Sequence, residues 1–360
     1  MTDQLAAARE KLARLGKLSL GFYPTPFHKL ERISEEFGIN LWIKREDFSG
    51  ASLFGGNKIR KLEYLLKEAR DEGCDTVFTY GATQSNHAMQ TCTAARRCGM
   101  RPVLYLGAIV EPRPDDVRAN LLLDRILGAE IHILPSQGRS TKETMKANEA
   151  IMAEHRARLA AEGHKVYDIP IGGSTPRGAV GFAEGYVELL EQAGANGLAG
   201  KGEDDGQLQQ PGNVGSCGTL GGLVAGKVLS GETHGVIRGM IVGKKDPATY
   251  AGDVAALANK VLELLGEKAG ASASDFELAS YVGPGYEKPY HEANDDIRYL
   301  ARTEGIFTDP VYSGKAFHGM MDQIRKGLVP KGSTVVFLHT GGATALFSEA
   351  EIIGDLSEEF

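Results

Sequence analysis

The sequence predicts an α/β protein built on mainly parallel β-sheets. Short runs of β-branched and aromatic residues alternate with helical patterns of ten residues or more, and connections of that length join parallel strands. The 46 glycines cluster in short loops, as expected for tight strand-to-helix turns near a ligand. With 360 residues the chain exceeds the usual size of one core, so one large domain or two closely joined lobes are expected.

The first half of the chain alternates strand and helix patterns regularly. Apolar residues at helical spacing predict an amphipathic helix within residues 1–20, and a second helical pattern begins at Lys58. Further helices are predicted at about 87–97, 116–127 and 141–162. Apolar, β-branched and aromatic runs predict strands at 41–45, 75–80, 102–106, 129–134 and 166–170.

The second half repeats this order less cleanly. Helices are predicted at 178–193, 223–229, 248–266, 294–304 and 315–325, and strands at 235–242 and 333–339. Residues 200–212 read GKGEDDGQLQQPG where the alternation requires an apolar strand. This composition is typical of loops or disorder, so the segment is interpreted as a mobile surface insertion or a degraded strand.

Composition excludes several classes of function. A formal charge of −7 argues against nucleic acid or an anionic membrane as the main partner, and no apolar run is long enough to span a bilayer. Cys74, Cys92, Cys98 and Cys217 form no CxxC pair and no Cys/His spacing that would hold a metal. With no signal peptide, they are expected to be free thiols in a reducing cytoplasm, and no metal site is predicted.

The segment FGGNKIRKLE, residues 54–63, carries the strongest functional signal. Its two glycines allow a flat ligand to approach, and Lys58 follows them at the start of a helix. The helix dipole and the neighbouring Arg60 and Lys61 are expected to disfavour its ammonium form, as Schiff-base chemistry requires. A lysine exposed on an ordinary helix is the alternative.

Three further loops contain chemistry-bearing residues after strands or at helix starts. Ser85 and Asn86 begin a helix, so they offer either an anion site or an ordinary N-cap. The segment 215–222, GSCGTLGG, offers either a phosphate nest or a tight packed turn, but is neither a Walker loop nor a dinucleotide fingerprint. Tyr312, near the loop 339–342, offers a stacking face and a hydroxyl, or is a half-buried tyrosine.

Taken together, these segments resemble the D-cysteine desulfhydrase and 1-aminocyclopropane-1-carboxylate deaminase family, which depends on pyridoxal 5'-phosphate. The resemblance implies fold type II, that of the tryptophan synthase β subunit, with two lobes each holding a mainly parallel sheet flanked by helices. It runs in family order from about residue 20 to 347. The matching segments are YPTP (23–26), KRED (44–47), GGNK (55–58), RKLE (60–63), QSNH (84–87), GGS (172–174), GSCGT (215–219), GPGY (283–286), EG (304–305), DPVY (309–312) and HTGG (339–342).

The resemblance also implies roles for individual residues. Lys58 would carry the cofactor as a Schiff base and move the Cα proton, while Asn57 and Asn86 would contact the cofactor. Ser85 would hold the substrate carboxylate. The phosphate would lie on Gly215, Ser216, Cys217, Gly218 and Thr219, with Lys61 assisting; Tyr312 would stack on the ring, Ser313 would face its nitrogen, and His87, Tyr286, Thr340 and Gly341 would line the substrate side.

Ser313 and Thr340 distinguish the two branches of this family. The ring-opening deaminases resemble one another in having Glu and Leu at these places, whereas the desulfhydrases have Ser or Thr and then Thr. A carboxylate would keep the pyridine nitrogen protonated and strengthen the electron sink, while a hydroxyl can donate to a neutral nitrogen. The weaker sink suffices to expel a thiolate, so the sequence favours β-elimination from D-cysteine, a carbon–sulfur lyase reaction.

Other interpretations stay open at this point. They are ring-opening deamination, β-elimination from L-cysteate or 3-chloro-D-alanine, and a non-catalytic ligand-binding protein on the same scaffold; an intact Lys58 argues against the last.

The expected lobes are residues 1–67 with 178–360, which hold the cofactor, and 68–177, which form a smaller α/β lobe. A homodimer is expected from the resemblance.

Overall fold

The computed structural model describes residues 2–51, 55–108, 117–198, 209–214, 217–285, 288, 290–348 and 353–354, with the backbone alone for 209–214. Within these ranges the strands form two sheets, one of six strands and one of four. All neighbouring strands run parallel except one pair at an edge of the larger sheet. The predicted α/β class with mainly parallel sheets is therefore confirmed.

Helices and strands follow one another along the chain in close to strict alternation. The helices are α1 Thr2–Leu15, α2 Glu31–Phe37, α3 Lys58–Asp71, α4 Asn86–Arg97, α5 Ala119–Ile126, α6 Thr141–Ala147, α7 Glu149–Ala161, α8 Pro176–Ala195, α9 Cys217–Ser230, α10 Pro247–Leu264, α11 His291–Glu304 and α12 Ser313–Arg325. The strands are β1 Phe27–Lys29, β2 Asn40–Arg45, β3 Thr76–Ala82, β4 Arg101–Ala108, β5 Glu130–Pro135, β6 Val166–Ile169, β7 Gln209–Val214, β8 Val236–Ile241, β9 Phe276–Ser280 and β10 Thr334–His339.

Helices cover both faces of each sheet. The larger sheet has the order β1-β2-β10-β7-β8-β9, with α1, α8, α9 and α10 contributing to the core on one face and α2, α11 and α12 to the core on the other. The smaller sheet has the order β5-β4-β3-β6, with α3, α4 and α5 on one face and α6 and α7 on the other. Because parallel strands end at the same edge, each sheet presents one edge of loops to a ligand.

One strand contradicts its composition. The composition of segment 200–212 left a mobile insertion and a degraded strand as alternatives. Residues 209–214 form a strand, β7, which lies between β10 and β8 in the larger sheet; residues 199–208 lie outside the described residues. β7 pairs in parallel with β8 over its whole length, from Gln209 opposite Val236 to Val214 opposite Ile241. Pairing with its neighbours imposes the strand, even though Pro211 offers no N–H to the ladder.

Several predicted boundaries are also corrected. The helix expected over 141–162 is two helices, because Asn148 takes a non-helical conformation (φ −112°, ψ 16°) and donates from its side chain to the carbonyl of Thr144 at 2.8 Å. The helix expected at 116–127 begins at Ala119, and residue 116 lies outside the described residues. The short elements α2, β1 and β9 were not predicted.

The glycine-rich segment before residue 223 is largely helical rather than a loop. The helix expected from Leu223 begins at Cys217, so Gly218 to Gly222 lie within its first two turns. A Cβ on Gly222 would lie 2.3 Å from the carbonyl oxygen of Ala179, and one on Gly226 would lie 2.7 Å from that of Ala183. These glycines therefore allow α9 to pack closely on α8.

Two observations concern the predictions made from the cysteines and from the hydropathy of the chain. Cys74, Cys92, Cys98 and Cys217 are free thiols. None of the helices within the described residues combines the length and the apolar composition that crossing a membrane requires.

Candidate active site

A cleft with a cavity volume of about 150 Å³, partly open to solvent, lies where the carboxyl ends of β3 and β10 face the first turns of α3 and α4. This is the edge at which parallel α/β sheets bind ligands. Many of the residues predicted for the site line this cleft, although they come from five separate stretches of the chain. They are Asn57, Lys58, Ser85, Asn86, His87, Thr219, Tyr312, Thr340 and Gly341.

Lys58 is the first residue of α3, and Asn57 before it ties the helix start to the walls of the cleft. The backbone N–H of Asn57 donates to the carbonyl of Thr340 at 3.0 Å, and its side-chain amide donates to Oγ1 of Thr219 at 3.1 Å. Burial lowers the pKa of Lys58 to about 8. The amine form needed to attack a carbonyl is thus accessible near neutral pH.

The cause of this lowered pKa differs from the one predicted. Burial lowers it, rather than the charge of Arg60. Nε of Arg60 pairs with Glu46 at 2.6 Å, and its Nη2 pairs with Glu188 at 2.8 Å, both deep inside the larger lobe. The charge of Arg60 is therefore neutralised on the side of α3 that faces away from the cleft.

The glycines before Lys58 allow two backbone segments to meet at the floor of the cleft. Gly56 and Gly341 form an antiparallel bridge, and Gly341 has a φ of 86°, which favours glycine. A Cβ on Gly341 would lie 2.8 Å from the carbonyl oxygen of Gly55. The close approach inferred from the sequence is thus an approach of backbone to backbone, which positions Lys58.

Ser85 and Asn86 stand at the start of α4. The hydroxyl of Ser85 accepts the backbone N–H of Ala88 at 3.2 Å, so Ser85 is the N-cap, yet it also lines the cleft. A Cβ on Gly81 would lie 2.5 Å from the Ser85 side chain, which explains a glycine at the end of β3. The capping and ligand-binding interpretations are therefore compatible, because the hydroxyl hydrogen is still available to an anion.

His87 is buried and presents a neutral imidazole at the cleft. Its Nε2 lies 3.0 Å from Oγ1 of Thr79, whose own hydrogen is donated to the carbonyl of Ile169 at 2.9 Å. Nε2 must therefore carry the hydrogen, while Nδ1 has no hydrogen-bond partner within the described residues. Burial, and then the positive charges of Lys58 and Lys61, hold the pKa of His87 well below its usual value.

A group of polar atoms next to Gly172 and Thr219, two residues that line the cleft, suits a phosphate group. Lys61 is buried and donates to the carbonyl of Gly172 at 3.1 Å. A Cβ on Gly218 would lie 2.8 Å from Nζ of Lys61 and 2.9 Å from Oγ of Ser174, a buried hydroxyl without a hydrogen-bond partner in the described parts of the chain. Burial and the charge of Lys58 place the pKa of Lys61 well below its usual value. An anion between these groups and the start of α9 would restore the ammonium form.

Tyr312 is held at the cleft by a turn built on Asp309. One carboxylate oxygen of Asp309 accepts the backbone N–H groups of Val311 at 2.9 Å and Tyr312 at 2.6 Å, and the other accepts that of Ser313 at 2.7 Å. Burial raises the pKa of Asp309, and these hydrogen bonds oppose the rise. Ser313 is fully buried, donates its hydroxyl hydrogen to Asp309, and is not among the residues lining the cleft.

Some predicted residues cannot be placed, and others were not predicted. Gly215, Ser216 and Tyr286 lie outside the described residues, and Cys217 is the first residue of α9. Three residues line the cleft but were not assigned to it from the sequence: Thr141 at the start of α6, and Ile171 and Gly172 in a short turn after β6. Gly172 lies in the quoted GGS segment, whereas nothing in the sequence marks Thr141.

Comparison with known proteins identifies the family of the chain. Residues 18–341 match the family described as "Pyridoxal-phosphate dependent enzyme". A 1-aminocyclopropane-1-carboxylate deaminase of Methylobacterium nodulans is 35% identical over 347 residues, covering 93% of this chain and 97% of that protein. A D-cysteine desulfhydrase of Serratia proteamaculans is 33% identical over 349 residues, covering 94% and 98%.

A solved structure described as an "ACC deaminase homologue" shares the fold, with a TM-score of 0.82 and 34% identity over 96% of this chain and 98% of that one. The relatives carry the names of two different activities, and each is similar to this chain over nearly its whole length. The chain therefore belongs to the pyridoxal-phosphate-dependent enzymes, and among them to the family of 1-aminocyclopropane-1-carboxylate deaminases and D-cysteine desulfhydrases.

Proposed function

We propose that this pyridoxal-phosphate-dependent lyase is a D-cysteine desulfhydrase, which converts D-cysteine and water to pyruvate, hydrogen sulfide and ammonia. One observation carries the choice of branch: none of the described residues that line the cleft is acidic. The nearby carboxylate of Asp309 accepts hydrogen bonds from its own turn. Without a carboxylate at the pyridine nitrogen the electron sink is weak, which suits a good leaving group better than ring opening.

The residues of the cleft fit pyridoxal phosphate. Lys58, with its lowered pKa, can bond to the aldehyde. The buried Lys61, Gly218 and the hydroxyl of Ser174, which has no hydrogen-bond partner among the described residues, provide a place for the phosphate. Tyr312 offers a face to the ring. When bound, the cofactor supplies an electron sink for the negative charge that develops at the substrate Cα.

The side chains then have distinct tasks. The hydroxyl of Ser85 and the free N–H groups at the start of α4 bind the substrate carboxylate, and Asn86 binds the phenolic oxygen of the cofactor. The amine of Lys58 takes the Cα proton. The Cβ–S bond then breaks, sulfur leaves with the bonding electrons as hydrosulfide, and water supplies the oxygen of pyruvate as ammonia is released.

The product assay separates this function from its alternatives. The purified holoenzyme is given D-cysteine, L-cysteine, L-cysteate, 3-chloro-D-alanine and 1-aminocyclopropane-1-carboxylate, and pyruvate is measured separately from 2-oxobutanoate. We expect pyruvate and sulfide from D-cysteine, and no activity in Lys58→Ala. Formation of 2-oxobutanoate at a comparable rate would assign the chain to the deaminases instead. A protein that takes up no cofactor and stays colourless would be a ligand-binding protein.

The specificity assignment has its own test. We expect that ring opening appears only in the double variant Ser313→Glu, Thr340→Leu, because a carboxylate and an apolar wall are both required. The matched control Ser313→Gln, Thr340→Leu has the same shape without the charge and should open no ring. Ring opening by the control would show that charge at position 313 does not set the branch.

Two further expectations are part of this proposal. We infer that residues 68–177 form the smaller lobe and close over the substrate; the strands of the four-stranded sheet, from Thr76 to Ile169, all fall within that range. A homodimer in the cytoplasm is inferred from the resemblance to the family. Light scattering on the purified holoenzyme tests the dimer, and a monomer mass would remove it.

A further inference from the structure

Three potential metal ligands meet in the smaller lobe, away from the cleft. Glu130 and His132 lie two residues apart on β5, so their side chains share one face of the sheet, and His155 reaches them from α7. One ligand atom from each residue lies within 4.8 Å of the other two. Oε1 of Glu130 lies 2.9 Å from Nε2 of His132 and 3.3 Å from Nε2 of His155.

The buried imidazole of His155 lacks a hydrogen bond on the side that faces this group. Its side chain is 6% exposed, and its Nε2 has no hydrogen-bond partner within the described residues, because the 3.3 Å contact with Glu130 is not aligned as a hydrogen bond. A buried polar atom without a partner is costly, so such an atom calls for an explanation. A cation between the two histidines would accept the lone pair of Nε2 of His155.

Tyr105 fixes the orientation of both imidazoles. Its hydroxyl lies 2.7 Å from Nδ1 of His155, and its ring stacks on His132, its neighbour across the strands, with 4.6 Å between ring centres. If the hydroxyl oxygen accepts the Nδ1 hydrogen, Nε2 of His155 is left unprotonated. Metal-binding histidines are usually oriented by such a hydrogen bond on their other nitrogen.

We propose that Glu130, His132 and His155 form a zinc-class metal site, with Oε1 and the two Nε2 atoms as ligands and water completing a tetrahedron. Bonds of about 2.0–2.1 Å place tetrahedral ligand atoms roughly 3.3 Å apart, close to the 2.9 Å and 3.3 Å that separate Oε1 of Glu130 from the two Nε2 atoms. Two imidazoles and one carboxylate suit Zn²⁺ and its neighbours in the first transition series rather than Mg²⁺ or Ca²⁺. The residues are separated by two and twenty-three positions, so no local motif reveals them.

The charges around the site are compatible with one divalent ion. Arg101 pairs with the other carboxylate oxygen of Glu130, Oε2, and leaves Oε1 to the ion. None of the three ligands lines the cleft, so the metal would join β5 to α7 and stabilise the smaller lobe without entering the reaction.

Zinc titration of the holoenzyme tests the site. After dialysis against a chelator, Zn²⁺ is added in competition with a fluorescent zinc indicator. We expect one tight site per chain that is weakened at least 100-fold in His132→Gln and in Glu130→Gln, and 10- to 100-fold in Tyr105→Phe. The matched control is His164→Gln, a half-exposed histidine of the same lobe that pairs with Asp75 and lies outside the cluster.

Two readouts distinguish this site from binding elsewhere. Co²⁺ in place of Zn²⁺ should give tetrahedral absorption bands between about 500 and 650 nm, at longer wavelength than the cofactor, and His132→Gln should remove them. Zn²⁺ should raise the melting temperature of the wild type and of His164→Gln but not of His132→Gln. Equal affinity in His132→Gln, Glu130→Gln and the wild type, or no saturable binding below about 100 µM, would overturn the proposal.

Discussion

Replacement of Glu188 by glutamine removes a negative charge that joins three elements inside the larger lobe. Glu188 lies on α8. Its Oε1 accepts hydrogen bonds from Nη2 of Arg60 at 2.8 Å, from Nζ of Lys44 and from the backbone N–H of Thr25 at 3.0 Å. Its Oε2 accepts a hydrogen bond from Nη1 of Arg60 at 3.1 Å. All these groups are buried. In the variant Glu46 alone would balance two buried cations, and α3, which carries Lys58, would lose one of its attachments.

The cost follows from the electrostatics of the site. Arg60 and Lys44 lower the pKa of Glu188 from 4.5 to about 2, although burial opposes them. At about 1.36 kcal/mol for each tenfold change in acid constant, this corresponds to roughly 3 kcal/mol, and breaking a buried pair typically costs about 3–5 kcal/mol. Lys44 contributes less than Arg60, because burial lowers the pKa of Lys44 in spite of two neighbouring carboxylates. We therefore expect a loss of about 3–5 kcal/mol.

Thermal unfolding of the holoenzyme at pH 7 measures this loss. For 360 residues the unfolding entropy is about 0.75 kcal/mol/K, so Glu188→Gln should lower the melting temperature by about 4–7 °C. Glu191→Gln, on the same helix, is the control: its side chain is 41% exposed and pairs with Arg9, so it should cost less than about 1 kcal/mol. Equal melting temperatures for the two variants would refute the reasoning.

The same measurement has a defined pH dependence. A carboxyl whose pKa is lowered by folding stabilises the protein fully above its unfolded pKa, near 4.5, and loses that effect as the pH falls toward about 2. The gap between the wild type and Glu188→Gln should therefore stay constant from pH 7 to about 5.5 and fall to less than half near pH 3. A gap that widens on acidification would contradict the assignment.

Three other predictions concern the cleft and the helices behind it. The cofactor-free protein should bind pyridoxal phosphate about tenfold faster at pH 9 than at pH 7, because the pKa of Lys58 is about 8 and only the amine attacks the aldehyde. Growth of the visible absorption band of the bound cofactor measures the rate, and a rate that does not change with pH would contradict the role of the Lys58 amine. Gly218→Ala should weaken cofactor binding by about tenfold or more in equilibrium titration, since its methyl group would lie 2.8 Å from Nζ of Lys61, where the phosphate is proposed to bind. Gly222→Ala should destabilise by about 1–3 kcal/mol or more because its Cβ would lie 2.3 Å from a backbone oxygen of α8, whereas Gly252→Ala on α10, with no atom within 4 Å, should not; equal melting temperatures would contradict this.

Most of the fold could be predicted because the sequence patterns that indicate its helices and strands are local. The strands of the smaller sheet are runs of β-branched and aromatic residues, and α3 begins at Lys58 as its apolar spacing indicated. The segment that contains β7, for which the sequence left a mobile insertion and a degraded strand open, shows the limit of such reasoning. Its residues QQPGNV have no apolar alternation, and only pairing along the whole of β8 makes them a strand. The glycines of α9 are a similar case, because their close contacts with α8 exist only in the folded protein.

The cleft could be predicted as a set of residues but not as an electrostatic environment. Ordered motifs indicated Lys58, Ser85 and Tyr312, and the structure brings all three to one cleft. What the sequence could not show is which buried groups would be left without hydrogen bonds. Within the described part of the chain, the Nδ1 atom of His87 and the hydroxyl of Ser174 are two of them, and their surroundings are set by Thr79 and Gly218.

The short segment from Lys58 to Glu63 explains why the sequence alone misassigned the cause of the lowered pKa of Lys58. Its charged residues point in different directions once α3 is formed: Lys58 lines the cleft, whereas Arg60 pairs with Glu46 and Glu188. Glu63 accepts the backbone N–H groups of residues 20 and 21, both at 2.9 Å, and so attaches the chain before β1 to the same helix. The four charges within these six residues therefore divide into two groups: Lys58 and Lys61 belong to the proposed cofactor site, whereas Arg60 and Glu63 attach the helix to its surroundings. Since the carboxylates that neutralise Arg60 come from distant parts of the chain, burial is left as the cause that lowers the pKa of Lys58.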